Sequence, residues 1–256
     1  MLQNAPQFQV SLARSDQDIR AAQRLRYEVF VAELGGDGKG VDHTQRLETD
    51  AFDAYADHLL LRDLRRPDRE RDGVVGVYRL MRDQHAAKAG RFYSSFEFDL
   101  SPLQNKNLTL LELGRSCIHP NNRGGAALMA LWQGLSDYVA QHEIDVLFGT
   151  ASFHGTNQTA LRNAISNLHA DYLAPEHLRV TSRMSCDHTM LPKNQIDRKA
   201  AMRDTPALIK SYLKLGGTIG QGVFVDHAFN TTDVCLILEI AKLSPRALTR
   251  ANRPQP

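Results

Sequence analysis

Cysteine is scarce. The three that occur in 256 residues, Cys117, Cys186 and Cys235, are odd in number, far apart and in no metal-ligand spacing. A disulfide framework and a structural zinc site are therefore excluded as organising devices, no metal is implied, and a reducing cytoplasm is the expected setting. Charge of one sign is not in surplus either: 31 Lys plus Arg stand against 29 Asp plus Glu, a net charge of +2. That balance excludes a nucleic-acid binder coated in positive charge, so any basic contact surface must be local. No apolar run reaches the roughly 18 residues that a membrane-spanning helix needs. The start, MLQNAPQFQV, lacks the basic region and apolar stretch of an export signal. Repeats and low-complexity blocks are missing as well.

What remains is an ordinary globular composition, 42% hydrophobic, ample for the core of one α/β domain over 1–256. The pattern predicts a short opening strand and then a helix over 16–34, where Ile19, Ala22, Leu25, Val29 and Phe30 fall near helical spacing and Ser15 or Asp16 caps the start. Two β-rich runs, 58–64 and 74–81, flank the charged stretch RDLRRPDRERDG (62–73) and read as antiparallel neighbours joined by a solvated loop. LTLLELGRSCIHP (108–120) reads as a strand, NNRGG (121–125) as a Gly-rich turn, 126–142 as an amphipathic helix and 145–153 as another strand. This β–turn–α–β unit predicts one parallel pair within a mixed sheet of otherwise antiparallel strands. Helices near 157–169 and 205–215 and a strand at 233–240 complete the pattern. The residues after about 243 form a basic, Pro-containing tail, expected to be loosely ordered.

Several ordered segments carry a resemblance: RLRYEVFVAELG (24–35), ETDAFDAYADHLLL (48–61), VVGVYRLM (74–81), LELGRSCIHPNNRGG (111–125), LWQGL (131–135), and PALIKSYLKLGG (206–217) followed by Asp226 and Asp233. Together they resemble the bacterial ornithine-lipid N-acyltransferases, a branch of the GNAT-like superfamily related to acyl-homoserine-lactone synthases. The resemblance runs from about residue 20 to 240. It implies a GNAT-like α/β (α+β) fold, with a mostly antiparallel central sheet flanked by helices and one β–α–β crossover forming the pantetheine site. The implied reaction moves a 3-hydroxyacyl chain from an acyl-carrier-protein thioester to the α-amine of L-ornithine. The donor arm is then the carrier's 4′-phosphopantetheine, and no tightly bound cofactor is implied. Peripheral contact with the inner membrane accompanies the cytoplasmic expectation. A sparser match to the signal synthases rests on Arg26, Phe30, Asp50, Asp53, Arg79, Glu112 and Arg115; it weakens at LGGDGKG (34–40), which lacks their tryptophan, and at Gly114, where they carry serine or threonine.

Acyl transfer to an amine needs a deprotonated amine, an aligned thioester and donors facing the oxyanion. Glu112, on the strand entering the crossover, is where the resemblance places the catalytic glutamate. Burial in an apolar strand would suit it to accept a proton, although pairing with Arg79 or Arg115 is the plainer reading. Arg115 joins it as a catalytic candidate, and backbone N–H groups near 114–118 are candidate oxyanion donors. Asn122, Arg123, Gly124, Gly125 and Ala126 form the candidate phosphopantetheine turn, where free N–H groups and the helix dipole favour an anion. The usual GNAT loop spacing is not met there from either Arg123 or Asn122. Arg26, Phe30, Asp50, Asp53 and Arg79 are the substrate-binding candidates; the two aspartates either meet an ammonium or arginine of the site or cap a turn. Cys117 reads as buried packing and His119 as a structural residue of the turn. The His58/Asp63 spacing matches a glycerolipid acyltransferase dyad but falls inside a strand, and reads as chance. Segments 92–103 and 206–215 either line an acyl tunnel or belong to the core. The rival functions are acylation of another amino acid such as glutamine, homoserine-lactone synthesis, acetyl transfer from coenzyme A, and a non-enzymatic sensor of acyl carriers.

Overall fold

The computed structural model describes residues 6–65, 70–184 and 190–243. Cys186, the middle of the charged loop and the basic tail beyond 243 lie outside the described residues. The chain divides into two compact units, one built from the segment up to Gly90 together with Leu113–Glu143, the other from Arg91–Glu112 and the chain from Ile144 onward.

In the first unit, strand β1 (Phe8–Leu12) leads into helix α1 (Asp16–Arg26). Ser15 and Asp18 form a reciprocal capping box, which satisfies amides the first turn would otherwise leave open. The helix expected over 16–34 changes character at Tyr27–Glu33, which is a π-helix; there the Leu34 N–H reaches back to the Val29 carbonyl. Strands β2 (Asp57–Asp63) and β3 (Val74–Arg82) pair antiparallel, as the short separation of the two β-rich runs predicts, and β1 pairs antiparallel with β2. A short helix α2 (Asp83–Ala89), not foreseen, follows and ends at left-handed Gly90. Strand β4 (Leu110–Ile118) starts in the second unit and finishes in the first, beside β3. Helix α3 (Gly125–Gln141) buries Ala127, Leu131, Leu135 and Tyr138, one stripe of the face its periodicity predicts. It packs so closely that a Cβ on Gly134 would lie 2.4 Å from Cγ1 of Val10.

In the second unit, β5 (Val146–His154) pairs parallel with β4 through Leu110–Glu112 against Val146–Phe148. The β4–α3–β5 path is thus the expected crossover, in a sheet whose other registered pairs run antiparallel. After α4 (Gln158–Tyr172) come two helices, α5 (Arg198–Asp204) and α6 (Ala207–Lys214). Only the second was expected; Asp197 caps the first, and Pro206 prevents the two from fusing. Strands β6 (Thr218–Ile219), β7 (Phe224–Asp226) and β8 (Thr231–Glu239) close the unit, β8 pairing antiparallel with β5, β6 and β7. Phe92, Phe98, Leu100 and Leu103 are core residues, with Phe92 edge-on to Phe148 at 5.1 Å. Ile209, Tyr212 and Leu213 of α6 are likewise buried. Among the described residues no helix is long and apolar enough to cross a membrane.

Candidate active site

Five of the candidate residues meet in the first unit, joined by Glu48, which the sequence reading had not singled out. Arg26 stands at the last turn of α1, Glu48 on a two-residue strand, Asp50 and Asp53 in the turn that follows, Arg79 on β3 and Arg115 on β4. Arg26 Nε bonds Glu48 Oε2, and the other oxygen of Glu48 takes Arg115 Nε at 3.1 Å. Arg115 Nη2 reaches Asp50 Oδ2 at 3.0 Å, and the same oxygen receives Arg79 Nη1. Arg79 Nη1 lies 3.6 Å from Asp53 Oδ1, which takes Arg26 Nη1 at 2.7 Å. The six side chains therefore close a ring of alternating charge, three guanidinium groups against three carboxylates.

The remaining carboxylate oxygens of this ring are also used. Asp53 Oδ2 accepts from Gln23 Nε2 at 3.0 Å and from the Asp50 N–H at 3.3 Å, while Asp50 Oδ1 caps the Phe52 N–H at 2.8 Å. Burial alone would raise the pKa values of Asp50 and Asp53. The charges of Arg79 and Arg115 on the one, and of Arg26 on the other, outweigh it and hold both below the usual carboxylate range. The two aspartates thus perform both roles left open for them, capping a turn and meeting arginines. Arg26 and Arg79 orient acidic residues. Arg26 is fully buried, and its Nη2 has no hydrogen-bond partner among the described residues.

Arg115 has φ +50°, a left-handed backbone in the middle of a strand. For a non-glycine residue this conformation costs about 1 to 2 kcal/mol, and its two ion pairs hold it there. Phe30 is a packing residue set against the cluster of Ala21, Ala22, Leu25 and Val29. Cys117 is buried, which pushes its thiol far up from the ordinary value and suits it to packing rather than nucleophilic attack. His119 Nδ1 accepts the Asn121 N–H at 3.2 Å and its Nε2 lies 3.5 Å from Glu28, so it shapes the turn. His58 Nε2 bonds the Asp53 carbonyl, while Asp63 caps the Gln7 and Arg65 amides; the two do not form a dyad.

The turn before α3 presents a helix start with no side-chain cap and no acidic residue in its first turn. Gly124, Gly125 and Ala126 are exposed, and a Cβ added to either glycine would meet nothing within 4 Å. Arg123 is held by a bidentate pair with Glu33, both contacts 2.6 Å, and by the Ile118 carbonyl at 3.1 Å. Asn122 is half-buried at the end of the preceding 3₁₀ turn.

In the second unit Glu112 is 3% exposed. Its Oε2 accepts the Tyr93 N–H at 2.9 Å and its Oε1 the Ser94 N–H at 2.6 Å, both from the start of a 3₁₀ turn over Tyr93–Phe96. Two backbone donors thus fix the plane of the carboxylate. Glu97 and Asp233 are buried in the same unit, and neither stood among the candidates. Among the described residues no group of three or more His, Cys, Asp or Glu is placed to hold a metal.

Residues 25–133 match the family model described as an acetyltransferase (GNAT) domain. The fold agrees with solved structures. An N-acyl amino acid synthase from uncultured soil microbes aligns with a TM-score of 0.52 at 10% identity, covering 93% of this chain and 95% of that one. A coenzyme A-dependent acyl-homoserine lactone synthase aligns at 0.54 and 13%, covering 97% and 92%. The fold is thus that of the GNAT class, and residues 25–133 match its acetyltransferase domain. Curated relatives narrow this further. An L-ornithine N(alpha)-acyltransferase from Rhodobacter capsulatus is 52% identical over 93% of this chain and 92% of its own length, and one from Brucella abortus is 41% identical over 94% and 88%. The chain belongs to the L-ornithine N(alpha)-acyltransferase family.

Proposed function

We propose that this acyltransferase moves a 3-hydroxyacyl chain from the thioester of an acyl carrier protein to the α-amine of L-ornithine. This is the first step of ornithine-lipid synthesis, carried out in the cytoplasm with peripheral contact at the inner membrane. The observation that carries the acceptor is that four curated relatives, matched over nearly the whole chain, bear the name L-ornithine N(alpha)-acyltransferase. The donor reading rests on the family resemblance.

An α-ammonium with a pKa of about 8 is mostly protonated at neutral pH and cannot attack a thioester. Glu112 takes its proton. The bonds from the Tyr93 and Ser94 N–H groups set the plane in which its carboxylate meets the amine. The freed amine adds to the thioester carbon, and the oxyanion is stabilised by backbone N–H groups of 114–118, a stretch re-aimed by the left-handed Arg115. Collapse breaks the C–S bond and forms the amide; the second proton of the amine nitrogen passes to the departing pantetheine thiolate, and Glu112 returns the first to solvent. Gly124, Gly125 and Ala126 would seat the pantetheine phosphate, and the exposed glycines and uncapped helix start support that role. The ring of Arg26, Glu48, Asp50, Asp53, Arg79 and Arg115 acts as a support that fixes Arg115 and the end of α1.

Purified chain incubated with 3-hydroxyacyl carrier protein and, in parallel, ornithine, lysine, glutamine and glycine tests the reading by mass spectrometry. N-acylornithine is the expected dominant product. Acylation of another amino acid alone, or turnover only with free coenzyme A thioesters, would overturn the acceptor or the donor respectively.

A further inference from the structure

We infer that helices α5 and α6 form the docking surface for the donor's carrier protein, an acidic partner; this rests on the carrier-linked donor proposed above. Lys199 and Arg203 are four residues apart on α5, and Lys210 and Lys214 four apart on α6, so each pair shares one helix face. Lys210 Nζ lies 3.4 Å from the Arg203 carbonyl, which joins the two faces into one stripe. The stripe is unevenly compensated. Arg203 pairs with Asp204, and the nearby Lys193 and Arg198 both pair with Asp171, whereas Lys199, Lys210 and Lys214 have no carboxylate partner among the described residues. In a chain whose charges nearly balance, with a net of +2, this local excess is the contact surface that composition permits.

An acidic protein fits it better than an anionic lipid surface. A helix that lies on lipid turns an apolar face outward. Here Ile209, Tyr212 and Leu213 are buried in the unit, and the large hydrophobic residues exposed among the described residues, Leu34, Tyr55, Leu64, Phe96 and Met129, all lie outside both helices. Lysine heads on a face that carries no exposed large hydrophobic residue steer and orient a charged partner rather than insert.

The test compares two donors on the same chain, 3-hydroxyacyl carrier protein and the same acyl group on free pantetheine, for wild type and for Lys199→Glu/Lys210→Glu/Lys214→Glu. The expected result is a rise of about tenfold or more in KM for the carrier-linked donor, a weaker salt dependence, and unchanged kinetics with acyl-pantetheine. Lys214→Glu alone, on an exposed last turn, should show a smaller shift of the same kind and guards against misfolding of the triple variant. Equal changes with both donors, or no change with either, would overturn the docking surface while leaving the carrier as donor. Loss of binding to phosphatidylglycerol vesicles with KM for carrier unchanged would overturn it in favour of lipid. A wild type that prefers free pantetheine thioester would defeat the carrier reading itself, and the docking surface with it.

Discussion

Two buried carboxylate sites, one in each unit, are held by different kinds of donor. In the first, Glu48, Asp50 and Asp53 are each bonded to guanidinium groups, and two of them are held below the usual acid range. In the second, Glu112 is fixed by two peptide N–H groups. Under the proposed mechanism the ring is support and Glu112 the base, so the two should answer differently to substitution.

Breaking the ring should have the largest effect. Arg26→Ala leaves Glu48 and Asp53 buried with one guanidinium each instead of two and should cost about 3 kcal/mol of stability, read as a lowered urea midpoint. Acid should act on the same groups next. Because Asp50 and Asp53 have depressed folded pKa values, the stability they contribute is complete above the unfolded carboxylate value of about 3.9 and is lost as pH falls through the lower folded values. Urea midpoints measured from pH 7 to pH 3 should therefore show this contribution constant down to about pH 4 and falling below it, and the fall should be smaller in Arg26→Ala. Sharpening the comparison from the donor side, Gly125→Val adds a side chain where nothing stands within 4 Å, so melting should be unchanged while KM for the acyl donor rises roughly tenfold, equivalent to about 1.4 kcal/mol. The smallest effect belongs to Cys117→Ala: kcat should stay within about twofold of wild type, at a cost of about 1 kcal/mol in stability from the lost sulfur packing. A hundredfold loss of kcat there would reinstate the thiol as a nucleophile.

Periodicity reveals elements that bury a face over many residues. The stripe on α3 and the β4–α3–β5 crossover were legible for that reason, and β2 and β3 as apolar, β-rich runs close together in the chain. Short elements set by a cap or a proline carry too few residues to show a period, and α2, α5 and the strands β6 and β7 were missed. The π-helical turn at Tyr27–Glu33 has the same spacing of apolar residues as an ordinary helix and no residue that announces it. Within the site, Arg26, Asp50, Asp53, Arg79 and Arg115 were legible as charged residues in apolar surroundings. Glu48 had the same signal, two residues before Asp50 at the head of the same motif, and was passed over. The donors to Glu112 are backbone amides of Tyr93 and Ser94, which no side-chain pattern can reveal. Arg123 was read for its charge toward a phosphate, while Glu33, ninety residues earlier, takes both of its terminal nitrogens.

The division between supporting and reacting carboxylates is tested most directly by making Glu112→Gln and Glu48→Gln side by side and measuring kcat of the folded protein at saturating donor and ornithine. Glu112→Gln is predicted to fall by about 10² to 10⁴ with a far-ultraviolet spectrum like that of the wild type, while Glu48→Gln is predicted to melt lower yet keep the turnover of whatever fraction remains folded. A Glu112→Gln enzyme that turns over at the wild-type rate would contradict the account.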